Sequence, residues 1–181
     1  MAELRGDLMY KLPSAPLITA QEINARLDSL ASELKAFDFD VILSALTGSY
    51  MFTADLSRRI ATPKLRIAFI KASSYGESDK PNANVHISGL EGLDIKGKRV
   101  LLIDDILDTG NTMYSLVKAL ADYSPASITT CVLLNKESRR TVNYHADFVG
   151  FEIEDKFVVG YGLDYANTYR TYPEVWALEE A

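Results

Sequence analysis

The residues most capable of chemistry lie in one short stretch, Val100–Thr112, reading VLLIDDILDTGNT. An apolar run delivers two adjacent carboxylates, Asp104 and Asp105, and Asp108 follows three residues on. Thr109-Gly110-Asn111-Thr112 then forms a small-residue turn leading into a helix. Such a turn offers backbone N–H groups, two hydroxyls and the positive end of a helix dipole, which together bind a phosphate dianion. Gly110 lets the backbone approach closely. The paired aspartates have no lysine or arginine beside them in sequence. Their natural partners are a sugar diol, which donates hydrogen bonds, or a magnesium ion. A phosphate beside a diol describes a ribose 5-phosphate.

Rival phosphate motifs are missing. The chain has no G-x-x-x-x-G-K-[ST] sequence, so the acids are not the second half of a P-loop site. Gly160-Tyr161-Gly162 lacks the third glycine of a dinucleotide fingerprint. Three acids merely capping a helix and facing water would be the plain alternative. An apolar strand running straight into adjacent acids argues against it.

Elements must carry these groups to one place. Thr19 opens a helix with Glu22 three residues later, a capping box, and Ile23, Leu27, Leu30, Ala31 and Leu34 follow at helical spacing toward Phe37. Val41–Ala45 reads as a short buried strand ending in the turn Thr47-Gly48-Ser49. A second helix follows from Tyr50 to Ile60, and Leu65–Ile70 is another strand. Val100–Ile103 is the strand before the acids. Met113, Leu116, Val117 and Leu120 mark the helix after Gly110. Ile128–Leu134 and Phe148–Phe151 complete the set. Strands alternating with helices predict an α/β fold with a mostly parallel sheet flanked by helices, whose ligands bind at the carboxyl ends of the strands. Ser73–Ser88 is polar and weakly periodic, and its length marks it as a loop that is either functional or disordered.

Composition bounds the rest. The 181 residues suggest a single domain, 1–181, and 48% hydrophobic with 24% charged residues is ordinary globular usage. The net charge of −6 argues against non-specific binding of nucleic acid or an anionic membrane. No apolar run approaches the roughly 20 residues of a membrane helix, and the first residues do not read as a secretory signal. A single cysteine, Cys131, fits a reducing, cytoplasmic setting and reads as a buried small hydrophobe. His86 and His145 are far apart, so a structural zinc site is not expected. By composition alone Phe157 and Tyr161 are core aromatics; the plain alternative for Lys136 is a surface lysine at a strand end, and for Arg139 and Arg140 a solvated pair at a helix start.

With these residues in view, VLLIDDILDTGNT resembles the phosphoribosyl-diphosphate signature of type I phosphoribosyltransferases, most closely the hypoxanthine (or hypoxanthine-guanine) branch. Leu46–Ile60 (LTGSYMFTADLSRRI), the Ser74-Tyr75 pair, Leu133–Arg140 (LLNKESRR) and Asp147–Arg170 are similar to that family in matching order. The resemblance spans about Val41–Arg170, and its last segment is the most specific.

The resemblance implies a purine-salvage transferase. A 6-oxopurine and phosphoribosyl diphosphate would give a nucleoside monophosphate (IMP, or GMP from guanine) and pyrophosphate, with Mg²⁺. It implies a core over about 38–155, a small hood from the N-terminal segment and about 156–181, and a homo-oligomer, dimer or tetramer. Asp104 and Asp105 would hold the ribose hydroxyls directly or through magnesium. Asp108, Thr109, Gly110, Asn111 and Thr112 would cradle the 5′-phosphate, and Asp108 would take the proton at purine N7. Lys136 would donate to O6, Phe157 would stack on the base, and the Val158 backbone would meet its edge. Asp164 would bind a magnesium ion. Thr47, Gly48, Arg140 and Arg170 would contact pyrophosphate, with Ser74 and Tyr75 on a closing lid.

Three departures stand out. Thr47 occupies the place of the family's usual lysine, Asp104 that of a usual glutamate, and the lid lacks the usual Ser/Thr-rich character. A non-proline cis peptide often found in the family would fall at Leu46–Thr47. A non-catalytic regulator on the same fold, binding nucleic acid, would need a basic face. The net charge and the intact acid triplet weigh against it. Preference among hypoxanthine, guanine and xanthine is left open by these residues.

Overall fold

Six strands form the central sheet, which the computed structural model describes within residues 10–74 and 85–180. In chain order the elements are β1 (Tyr10–Lys11), α1 (Ala20–Leu34), β2 (Val41–Leu46), α2 (Tyr50–Arg59), β3 (Arg66–Ser74), β4 (Val85–Ser88) and β5 (Arg99–Leu107). They continue with α3 (Asn111–Ala121), β6 (Ser127–Asn135), β7 (Phe148–Glu152), β8 (Val158–Val159), β9 (Trp176–Ala177) and β10 (Glu179–Glu180). The sheet order is β4-β3-β2-β5-β6-β7, parallel throughout except for the antiparallel edge strand β4. This is the mostly parallel α/β sheet expected from the alternation of strands and helices.

Side-chain alternation explains how both faces are covered. Leu101 and Ile103 of β5 pack with Ile42 of β2, the apolar stripe of α1, and Phe52 and Leu56 of α2. Val100 and Leu102 point the other way, onto Met113, Leu116 and Leu120 of α3. A strand buried on both faces reads as a continuous apolar run, as VLLI does. The α1 stripe is buried at all five expected positions, Ile23, Leu27, Leu30, Ala31 and Leu34. Its capping box is formed: Thr19 Oγ1 accepts from the Glu22 N–H at 3.2 Å, and Glu22 Oε2 accepts from the Thr19 N–H at 2.8 Å. α1 therefore belongs to the sheet's own core, although it precedes residue 38.

Two expectations are corrected. β5 runs on to Leu107 instead of stopping at Ile103, because its backbone pairs with β6 as far as Asn135, whatever the side chains. Asp104 and Asp105 thus lie within the strand. The ends of the segment read as a loop, Ser73–Ser88, are also strand: Ser74 of β3 pairs with Val85 of β4. The interior of that segment, Tyr75 included, lies outside the described residues.

The first and last described segments pair with each other. Tyr10 and Lys11 pair with Glu180 and Glu179, Ile18 bridges to Val175, and β8 pairs with β9. Between β6 and β7 a single 3₁₀ turn, Glu137–Arg139, follows Lys136.

At the opposite end of the strands an ion cluster ties β5 to the start of β2. Asp40 accepts from the Arg99 N–H at 2.9 Å and pairs with its guanidinium, while Lys64 and Arg99 share Asp38. Hydrogen bonds from Arg99 hold the Asp40 carboxyl down to about 2, against a usual 3.8. A depressed carboxyl contributes stability above its unfolded pKa and loses it as pH falls through the folded one. Between about pH 4 and pH 2, Asp40→Asn should therefore lose less thermal stability than the parent. Unfolding temperatures measured across that window check this, and parallel curves would count against it.

Candidate active site

At the carboxyl ends of β2 and β5 a cavity of about 320 Å³ opens, within the usual range for small-ligand sites. Its floor is Asp104 and Asp105, one wall is the turn after β2 with Thr47 and Gly48, and another is Asp108, Thr109, Gly110 and Thr112. Asp164 and Arg170 come over from the segment after β8. A second hollow, of about 200 Å³, continues from it and is lined by Asp105, Asp108, Lys136, Phe157, Val158 and Asp164. Asp105, Asp108 and Asp164 line both, so an occupant of one touches an occupant of the other.

Local physics sets each wall. Gly110 caps α3 with φ of 87°, a left-handed conformation that costs glycine little, and turns the chain so that the helix N-terminus faces the cavity. Thr109 is braced from behind: its carbonyl accepts the Thr141 N–H at 3.0 Å. The Leu46–Thr47 peptide is cis. Gly48 lies so close to Asp105 that a Cβ there would overlap the carboxylate. Asp164 pairs with Arg170 at 2.7 Å and accepts the Asn167 N–H at 2.8 Å, while Arg170 also donates to the Gly162 carbonyl at 2.7 Å.

The acids differ electrostatically. Burial pushes the Asp104 carboxyl well above the usual range, and the neighbouring Asp105 charge adds to the push. Burial also raises Asp105. Among the described residues neither carboxylate has an ion-pair partner, so a cation or a set of hydroxyl donors would relieve both. Also among the described residues, no three acids, histidines or cysteines converge into a closed metal cage. Magnesium suits such a site because it is commonly held by one or two carboxylates together with substrate oxygens. Both Asp164 oxygens already have partners, which makes Asp104 and Asp105 the better-fitting pair.

Lys136, Phe157 and Val158 line the second hollow together, and the surroundings of several side chains depart from the plain alternatives or from the roles implied for them. Lys136 is not a surface lysine: it is 6% exposed, with Nζ 4.0 Å from Asp108 and 3.6 Å from Asp155. Phe157 is not core: it is 45% exposed, and Tyr10 stacks against it at 5.6 Å. Tyr161 is core, its hydroxyl donating to Asp55 at 2.6 Å. Arg140 does not line the cavity. Its guanidinium donates to the Asp108 carbonyl and to Asn135 Oδ1, which places it under the phosphate-binding turn as a brace. Asn111 also turns away: its amide points to Thr109 at 3.3 Å and Thr141 at 3.4 Å. Arg139 pairs with Asp108 at 3.0 Å and is no solvated spectator. Cys131 is buried, and burial raises its thiol. Ser74 ends β3, and Tyr75 is outside the described residues. Sequence reasoning missed Asp155. An acid two residues before Phe157 was the only available signal, and exposed acids are too common for that to mark it.

Residues 18–166 match the family model described as the phosphoribosyl transferase domain. The chain belongs to the phosphoribosyl transferase family. It is 40% identical to the hypoxanthine-guanine phosphoribosyltransferase of Aquifex aeolicus, over 99% of this chain and all of that protein. It is 44% identical to the hypoxanthine phosphoribosyltransferase of Haemophilus influenzae, over 85% of this chain and 89% of that one. Among solved structures, a hypoxanthine-guanine phosphoribosyltransferase from Bacillus anthracis superposes with a TM-score of 0.84 at 33% identity, covering 94% of this chain and 99% of the other. The phosphoribosyl transferase fold thus accounts for the sheet and for the cavity at its strand ends.

Proposed function

We propose that this phosphoribosyl transferase moves the 5-phosphoribosyl group of phosphoribosyl diphosphate onto hypoxanthine or guanine, giving IMP or GMP and pyrophosphate. The observation that carries this reading is the pair of joined hollows. A polar one, fit for a phosphorylated sugar, opens into a smaller one that combines an aromatic ring, a buried ammonium and a shared aspartate. Relatives in Aquifex aeolicus and Haemophilus influenzae that bear the matching names support the purine.

On this reading the 5′-phosphate sits on the turn Asp108–Thr112, with Thr109, Gly110, Thr112 and the backbone of Asn111 as donors. The ribose hydroxyls bond to Asp104 and Asp105. The ribose C1–O bond breaks, positive charge builds on the sugar ring, and pyrophosphate leaves toward Thr47, Gly48 and Arg170. The purine attacks C1 through N9, and Asp108 accepts the proton from N7. Lys136 donates to O6, Phe157 covers one face of the base, and the Val158 backbone meets its edge. Mg²⁺ held by Asp104 and Asp105, with Asp164 nearby, would neutralise and orient the leaving group.

We further read the paired terminal segments 10–18 and 156–180 as a hood, and the enzyme as a cytoplasmic homo-oligomer. Exposed Ile67 and Phe69, on one face of β3, support the assembly. No described helix is long and apolar enough to cross a membrane.

The direct test is pyrophosphate release with hypoxanthine, guanine, xanthine and adenine in turn, with and without Mg²⁺. Release with hypoxanthine that needs the metal is expected, and release with none of the purines would overturn the reading. Specificity gives a second test. An ammonium has donors only, so it pairs with a 6-oxo group and meets another donor on a 6-amino group. Removing a charged hydrogen bond of this kind costs about 1.5–3 kcal/mol, so Lys136→Ala should raise the hypoxanthine KM about tenfold to hundredfold and narrow the preference over adenine. A variant that discriminates as strongly as the parent would remove Lys136 from the role.

A further inference from the structure

Lys136 and Asp108 do not stand alone. Arg139 Nε lies 3.0 Å from one Asp108 oxygen, and Lys136 Nζ lies 4.0 Å from the other. Across from Asp108 sits Asp155, with one oxygen 3.6 Å from Lys136 Nζ and the other 3.5 Å from Arg139 Nη1. Two cations and two carboxylates alternate around a ring. Each carboxylate spends one oxygen on each cation.

We propose that Asp155 is a positioning residue for the purine, holding the Lys136 ammonium at the base pocket and, through Arg139, the Asp108 carboxylate. This rests on the roles given above to Lys136 and Asp108.

Three arguments lead to it. First, Lys136 is 6% exposed, and an ammonium so placed needs a counter-charge. Second, Asp108 cannot be that counter-charge throughout the reaction. Once it takes the N7 proton it is neutral, and among the described residues the Lys136 ammonium would then face no carboxylate without Asp155. A carboxylate that takes no part in proton transfer keeps the ammonium in place through that step. Third, Asp155 links two segments of the pocket. It lies between β7 and β8, close before Phe157, whereas Lys136 and Arg139 follow β6. The Ile153 N–H donates to the Asn135 carbonyl at 2.9 Å, so the two segments are already tied by backbone beside the ring. Asp155 is half exposed, and an isolated surface ion pair is worth little. The effect expected of it is therefore on the geometry of binding, with little change in stability.

The test compares Asp155→Asn, Asp155→Glu, Lys136→Ala and the double variant Lys136→Ala/Asp155→Asn in steady-state kinetics. Asp155→Asn should raise the hypoxanthine KM about tenfold, as expected when a binding group shifts by a fraction of an ångström. The KM for phosphoribosyl diphosphate should stay within about twofold, and kcat should move less than the purine KM. Asp155→Glu should recover part of the loss. The double variant should bind purine no worse than Lys136→Ala, since Asp155 acts through the lysine. A purine KM within about twofold of the parent in Asp155→Asn, alongside a raised KM in Lys136→Ala, overturns the proposal and leaves the base-recognition reading standing. Both KM values rising together with a fall in unfolding temperature overturns it too, as general damage. An unchanged purine KM in Lys136→Ala removes the lysine's role, and that of Asp155 with it.

Discussion

Asp108→Asn should lower kcat about 10²–10⁴-fold, the usual worth of a positioned general base, while leaving the fold intact. The carboxamide keeps the size and shape of the carboxylate but cannot accept the N7 proton as a base. The surroundings are built to tolerate the exchange. The Asp108 backbone carbonyl still accepts from Arg140, so the turn keeps its brace. What is lost is the charge facing Arg139, a pair 41% and 36% exposed, and facing Lys136 at 4.0 Å, which keeps Asp155 as its counter-charge. Partly exposed pairs contribute about 0–1 kcal/mol, so the unfolding temperature should stay within about 4 °C of the parent. The KM for phosphoribosyl diphosphate should change little, because the phosphate is held by the N–H groups and hydroxyls of the turn. Single-turnover rates with hypoxanthine, together with thermal unfolding, check both halves of the expectation. Turnover within about twofold of the parent would remove Asp108 from the role.

Local signals carried α1 and the strand core into the sequence reading, and tertiary context withheld the rest. The capping box at Thr19 and the stripe from Ile23 to Leu34 are contained within one helix, so spacing alone reveals them. The end of β5 is different. Polar Asp104 and Asp105 break the apolar pattern, but ladder pairing with β6 does not depend on side chains, and the strand continues. The two-residue strands near the termini have no periodicity to read, and Tyr10 finds its partner at Glu180. In the site, the acids and the glycine turn were legible because one contiguous stretch holds them. The environments of Lys136, Arg140 and Phe157 were not. Whether a lysine is buried, an arginine turns beneath a loop or an aromatic stays exposed depends on residues distant in sequence: Asp155 for Lys136, Asp108 for Arg140 and Tyr10 for Phe157.

Gly48→Ala should cut kcat/KM for phosphoribosyl diphosphate by about 10²-fold or more, chiefly through KM, because the new methyl and the Asp105 carboxylate cannot share one volume. Either the carboxylate or the turn must move, and both are held. Asp105 Oδ1 accepts the Ile106 N–H at 2.8 Å, so rotating the carboxylate breaks a bond to its own strand. The turn is pinned by buried hydroxyls. Ser49 Oγ donates to the Ala45 carbonyl at 2.7 Å and lies 2.8 Å from Ser44 Oγ, which in turn lies 2.8 Å from Thr53 Oγ1 on α2. Shifting Ser49 would leave polar atoms unpaired in a buried place, at about 1–3 kcal/mol each. Overpacking of this kind costs about 1–3 kcal/mol in stability, so the unfolding temperature should also fall by several degrees. The purine hollow shares Asp105 but not Gly48, and Lys136, Phe157 and Val158 lie away from the new methyl, so the hypoxanthine KM should change less than that for phosphoribosyl diphosphate. A parental KM for phosphoribosyl diphosphate in this variant would mean that the sugar and its leaving group do not rest between the turn and Asp105, and the assignment of the larger cavity would fail.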